Sequence, residues 1–182
     1  MIRRVYLLSI TLLLLILSTP LFSFDNDANI NLLYDNQFFP VLIKHIEYAK
    51  KEIIFSVFQF KTSSKIGSFP DRVVESLELA AKRGVDTVVI LEDGANNIEV
   101  YKTNMETAKK LKAAGVKVFF DSNRTTNHTK IYIFDEKYAI IGSHNLTQSA
   151  LKYNSEASIL IDSPAVTKKI KEYVERLKKV KF

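Results

Sequence analysis

Between residues 128 and 156 the sequence gathers side chains suited to chemistry on a phosphate ester. His128 and Lys130 are two residues apart. Asp135 follows after four residues, Gly142-Ser143-His144-Asn145 after six more, and Glu156 lies beyond. In a strand, residues two apart share a face. An imidazole and an ammonium held that way can work on one phosphate: the ring nitrogen attacks phosphorus while the cation holds a non-bridging oxygen. Ser143 and Asn145, in the turn after the next strand, add neutral donors for the same oxygens. Glu156, opening a further strand, can accept from the other ring nitrogen of His128 and so fix its tautomer. Asp135 falls on the opposite side of the strand.

These residues need a scaffold, and the surrounding pattern alternates strand and helix. Residues 30–34 read as a short strand, and Phe38, Val41, Leu42, Ile46 and Ala49 then recur at helical spacing. Residues 52–60, rich in Ile, Val and Phe, read as a buried strand. Between Pro70 and Gly84 a helix sets Val73, Val74, Leu77, Ala80 and Ala81 on one face. Strands are predicted at 87–91 and 116–120, with a helix carrying Tyr101, Met105, Ala108 and Leu111 between them. Three more follow at 129–134, 138–141 and 157–161, and Ser163-Pro164 opens a last helix with Val166, Ile170, Val174 and Leu177 inward. Tyr132 and Phe134 share the face of His128 and belong in the core. The order predicts one α/β domain over residues 25–182, its sheet mixed and mostly parallel, with helices on both faces.

The motif resembles that of the phospholipase D superfamily, H-x-K-x(4)-D followed by G-S-x-N, which stands here as HTKIYIFD and GSHN. Within that superfamily the chain is similar to short, exported bacterial endonucleases with one motif per chain. The resemblance implies a phospholipase D/nuclease-like fold and a metal-independent phosphodiesterase with a phosphohistidine intermediate. Carried over by position, His128 is the nucleophile or acid, Lys130, Ser143 and Asn145 bind phosphate, Glu156 orients His128, and Asp135 is structural.

One motif per chain creates a stereochemical problem. In-line displacement puts attacking and leaving atoms on opposite sides of phosphorus, so one imidazole cannot both attack and protonate the leaving oxygen. His45 falls on an apolar helix face and reads as a core-edge residue. His144 holds the variable position of GSxN and is a candidate for lining the cleft. Neither sits in an H-x-K context. A C2 homodimer supplies a second His128 by symmetry, and such a dimer is the expected partner.

Composition narrows the remaining classes. With no cysteine, a disulfide scaffold, a thiolate zinc site and a cysteine nucleophile are excluded. No His/Asp/Glu set has metal-ligand spacing, and neither metal nor cofactor is expected. Arg3 and Arg4 precede an apolar run, so residues 1–24 read as a signal peptide or, with residues 5–24 spanning a bilayer, an anchor facing the periplasm or exterior. The formal charge of +6 is uneven: residues 164–182 carry seven Lys and Arg against two Glu, and residues 25–163 hold 17 basic and 18 acidic residues. The basic tail reads as a solvated helix face or a contact for backbone phosphates. An exported nuclease acting on DNA, or on RNA, is the leading expectation. The alternative is a phospholipase D working on phosphatidyl headgroups at a membrane. A nucleic-acid-binding module without catalysis, as in DNA uptake, is the third.

Overall fold

Runs of β-branched and aromatic residues lay down the strands at the centre of the molecule. The structure, a computed structural model, describes residues 27–63, 67–94, 97–121 and 125–182; the export segment expected over residues 1–24 lies outside the described residues. In chain order the elements are β1 (Asn29–Tyr34), α1 (Phe38–Tyr48), β2 (Glu52–Val57), α2 (Phe69–Lys82), β3 (Asp86–Leu91), α3 (Ile98–Ala113) and β4 (Lys117–Phe120). The second half holds β5 (Lys130–Phe134), β6 (Tyr138–Gly142), α4 (Gln148–Lys152), β7 (Ala157–Asp162), α5 (Pro164–Glu175) and β8 (Val180–Lys181). All the strands join one sheet in the order β1-β7-β6-β5-β2-β3-β4-β8. Among the described residues, no helix is long and apolar enough to cross a membrane.

This is the single mixed α/β domain expected, but the balance of strand directions is reversed. Among the strands of the described residues, only β2–β3 and β3–β4 pair in parallel, and the other five pairings are antiparallel. Helical crossovers link β2 to β3 and β3 to β4, which makes those pairs parallel. The strands after residue 121 are joined differently: a tight turn at residues 135–137 folds β6 back on β5, and β7 returns beside β6. Strands joined by so tight a turn run antiparallel, and β7 is likewise antiparallel to β6 although a longer connection through α4 joins them. The apolar run predicted to continue to residue 60 stops pairing at Val57, and Phe60 makes a lone parallel bridge with Leu146.

Side-chain alternation divides the core into two layers. Ile53, Phe55 and Val57 of β2, Val89 and Leu91 of β3, and Tyr132 and Phe134 of β5 pack with Phe38, Leu42, Val73, Leu77, Ala108 and Leu111 of the first three helices. Ile54, Val88, Ile90, Ile131 and Ile133 point the other way and meet Val174 of α5, with Ile170 and Leu177 against them. The basic tail is therefore a helix packed on the sheet, and Lys171 is held by Glu52 at 2.8 Å and by Glu136.

Asp135 has the structural role expected of it. It adopts a positive φ of 54° in the β5–β6 turn. Its carboxylate accepts the N–H groups of Lys50, Lys51 and Glu52 at 2.7–3.1 Å. That clasp ties the far end of β5 to the entrance of β2.

Candidate active site

Lys130 is the first residue of β5, opposite Val57 of β2, and is buried at 6% exposure. His128 lies two residues earlier on an extended approach and is exposed. As strand alternation predicts, the two side chains meet: Lys130 Nζ is 3.1 Å from Nδ1 of His128 and donates to the His128 carbonyl at 2.8 Å. Phe58 forms a wall beside both, with ring centroids 4.5 Å from the imidazole and the ammonium 5.1 Å above its face. The site opens on a cleft of about 300 Å³ that Thr125, Thr126, Tyr173 and Lys179 also line. The C-terminal segment thus borders His128.

Burial sets the electrostatics. It lowers the pKa of the Lys130 ammonium to about 8, against the opposing pull of the Glu156 charge. Burial and the adjacent Lys130 charge also lower the pKa of His128, while Glu92 works in the opposite direction. A neutral imidazole beside a cation is the pairing a nucleophilic attack on an anionic diester requires.

The GSxN turn sits next to this pair because β6 pairs with β5 and ends at Gly142. A Cβ at Gly142 would stand 2.1 Å from Ser158 Oγ and 2.4 Å from Ala157 O, so glycine is what lets β6 and β7 close at this point. Exposed Ser143 donates to the Glu156 carboxylate and accepts from Ala157 N–H at 3.0 Å. Thr147 caps the helix that follows, its Oγ1 accepting from Ala150 N–H at 3.1 Å. Asn145 accepts the Gln59 N–H at 3.2 Å through its side-chain oxygen, leaving its NH₂ as the donor suited to a phosphate.

Two expected placements are corrected. Glu156 meets Ser143 and Asn154 rather than His128, and its own N–H is held by Asp35 at 2.8 Å. It precedes β7, which β6 separates from β5. His144 does not line the cleft. It is fully buried, stacked on Phe38 with centroids 4.2 Å apart. Nε2 lies 3.0 Å from the Asp35 carbonyl, which can only accept, so Nε2 donates and Nδ1 accepts from Ser158 Oγ at 2.7 Å. His45 is the core-edge residue expected, bonded to Val41 O and set between Phe134 and Tyr138.

Spacing also concealed contributors. The carboxylates of Glu92, Asp93 and Asp121 offer oxygens within 4.8 Å of one another, a grouping of the kind that holds hard cations. Several of these oxygens already serve the backbone: Glu92 accepts from Gly94 and Asn127 N–H, and Asp121 from Asp93 N–H. Burial and the two neighbouring carboxylates raise the pKa of Asp121 to about 7. Glu92 follows the carboxyl end of a parallel strand, the position at which α/β sheets gather their sites, and that was the available signal.

The mixed sheet thus brings an imidazole, an ammonium and neutral donors together at the ends of its central strands. Residues 42–178 match the PLD-like domain of cardiolipin synthase, and the chain belongs to that family. Cardiolipin synthase of Staphylococcus aureus (strain Mu50) is 28% identical over 131 residues, covering 71% of this chain and 25% of that protein. The chain therefore spans about a quarter of the length of the curated relatives it matches. Among solved structures, Nuc, a phospholipase D family member from Salmonella typhimurium, aligns with a TM-score of 0.72 at 20% identity over 86% of this chain and 99% of Nuc. NucT from Helicobacter pylori aligns with a TM-score of 0.67 at 18% identity over 86% of this chain and 100% of NucT. At these identities the likeness is one of fold.

Proposed function

We propose that the protein is an exported, metal-independent endonuclease that cleaves DNA through a phosphohistidine formed on His128. The observation that carries this reading is the His128–Lys130 contact beside the donors of Ser143 and Asn145. Lys130 and Asn145 hold the non-bridging oxygens, joined by Ser143 once its hydroxyl turns from Glu156, while a nitrogen of His128 bonds to phosphorus and the P–O bond to the leaving oxygen breaks. That oxygen takes a proton from a second imidazole, which then accepts a proton from the water that cleaves the N–P bond. His45 and His144 are both engaged elsewhere in the chain, so the second imidazole is His128 of a twofold-related copy in a homodimer. Lys179, which lines the His128 cleft, brings the basic tail within reach of flanking phosphates.

The kinship with cardiolipin synthases favours a second reading, hydrolysis of phosphatidyl headgroups at a membrane that residues 5–24 would engage. One assay separates the two. The full chain in detergent, with a chelator present, is offered single-stranded DNA, duplex DNA, RNA and phosphatidylcholine vesicles in parallel. Chelator-resistant DNA cutting that His128→Ala abolishes supports the nuclease. Choline release without DNA cutting supports the phospholipase, and DNA binding with no cleavage by the unaltered protein supports a binding module.

A further inference from the structure

Glu92 lies at the end of β3, 36 positions before His128 in the chain, and is only 2% exposed. One of its oxygens accepts the N–H of Asn127, the residue immediately before His128. Asn127 is itself buried at 4% exposure. Its Nδ2 donates to Ser56 Oγ at 3.1 Å, and its Oδ1 accepts from Thr129 Oγ1 at 2.6 Å and from Thr129 N–H at 3.2 Å. Because Thr129 Oγ1 gives its proton to Asn127, Ser56 Oγ donates to Thr129 across their 2.7 Å contact. The three side chains thus close a ring of hydrogen bonds on β2. Both neighbours of His128 are moored while its own side chain stays outside.

We propose that Glu92 is a positioning residue for His128. Through the Asn127 N–H it holds the segment that presents the imidazole, and its negative charge favours the positive charge the ring gains on bonding to phosphorus. This rests on reading His128 as the reacting group. The charged and titratable groups around the arrangement are Lys130 beside the ring, Asp93 and Asp121 beside Glu92, and Tyr173 and Lys179 across the cleft. Lys130 opposes charge on the imidazole, and Glu92 supports it.

The test is Glu92→Gln in the full chain in detergent. The amide keeps the size and an acceptor for Asn127 N–H but removes the charge. The three histidine rings are titrated by NMR, with the His128 signal identified by its absence in His128→Asn. We expect the His128 titration to move to lower pH in Glu92→Gln while that of His144 stays in place. With bis(p-nitrophenyl) phosphate as substrate, kcat should fall by about tenfold with KM nearly unchanged, because the group acts on geometry and charge at the nucleophile. The acid limb of the pH–rate profile should move with the ring. A His128 titration identical to that of the unaltered protein overturns the proposal, whether or not any substrate is turned over. The proposed activity fails separately, if His128→Asn leaves hydrolysis intact. Should Glu92→Gln not fold, Glu92→Asp serves instead: its shorter carboxylate draws away from Asn127, and an undiminished kcat overturns the proposal.

Discussion

Lys130 Nζ lies 3.1 Å from His128 Nδ1 and 2.8 Å from the carbonyl oxygen of the same residue. A protonated lysine can only donate, so Nδ1 accepts and the ring's own proton sits on Nε2. Attack through Nε2 needs the opposite tautomer, with the proton on Nδ1. In the reaction proposed above the pair therefore separates as the diester binds, the ammonium moving to a phosphate oxygen and the ring's proton passing to Nδ1. The free site is self-capped, and an anionic diester is the kind of group that would open it.

The ammonium at this position sets an alkaline limit. With its pKa lowered to about 8, Lys130 loses its charge above that value, and phosphodiester hydrolysis should decline along a limb near pH 8. Lys130→Arg keeps its charge at every accessible pH, so the limb should vanish even though the altered geometry lowers the rate. A limb that persists near pH 8 in Lys130→Arg would assign it to another group.

Glu156 supports the charge of Lys130, which makes its effect directional. Removing the carboxylate in Glu156→Gln should lower the Lys130 pKa further and move the alkaline limb to lower pH. The acid limb, governed by His128, should stay where it is. A pH–rate profile in which only the acid limb moves would show that Glu156 acts on the imidazole after all.

Asp135 should matter to stability and not to chemistry. Asp135→Ala strips three backbone N–H groups of their acceptor and is expected to cost about 2 kcal/mol in denaturant unfolding. Turnover of the folded fraction should be unchanged. A loss of kcat at full stability would place Asp135 in the reaction.

Buried His144 predicts how stability depends on pH. Burial lowers its pKa below 6.5, whereas in the unfolded chain it protonates near that value. Between the folded and unfolded values the unfolded state binds more protons, so stability falls as pH drops below about 6.5. His144→Gln should flatten that part of the curve while lowering stability throughout by roughly 2 kcal/mol. Equilibrium denaturation at several pH values checks both.

Much of this arrangement is local and was legible as such. The β-branched runs gave β2, β3 and β5, and period two brought His128 and Lys130 together and turned Asp135 away. What escaped was non-local. Strand direction depends on which connections are crossovers and which are tight turns, and apolar runs read alike in both. The spacing of Glu156 points to His128, and nothing in it shows that β6 lies between β7 and β5. Glu92 and Ser56 lie 36 and 72 positions before His128, and only the sheet brings them beside it. The two-residue β8 is too short to show any period.

The ring joining Ser56, Thr129 and Asn127 has an entropic consequence. Fixing one residue's backbone costs about 1–2 kcal/mol, a cost that a loose loop would meet each time substrate bound. Here folding has already met it on both sides of His128. The imidazole stands exposed on a backbone that is already ordered on both sides.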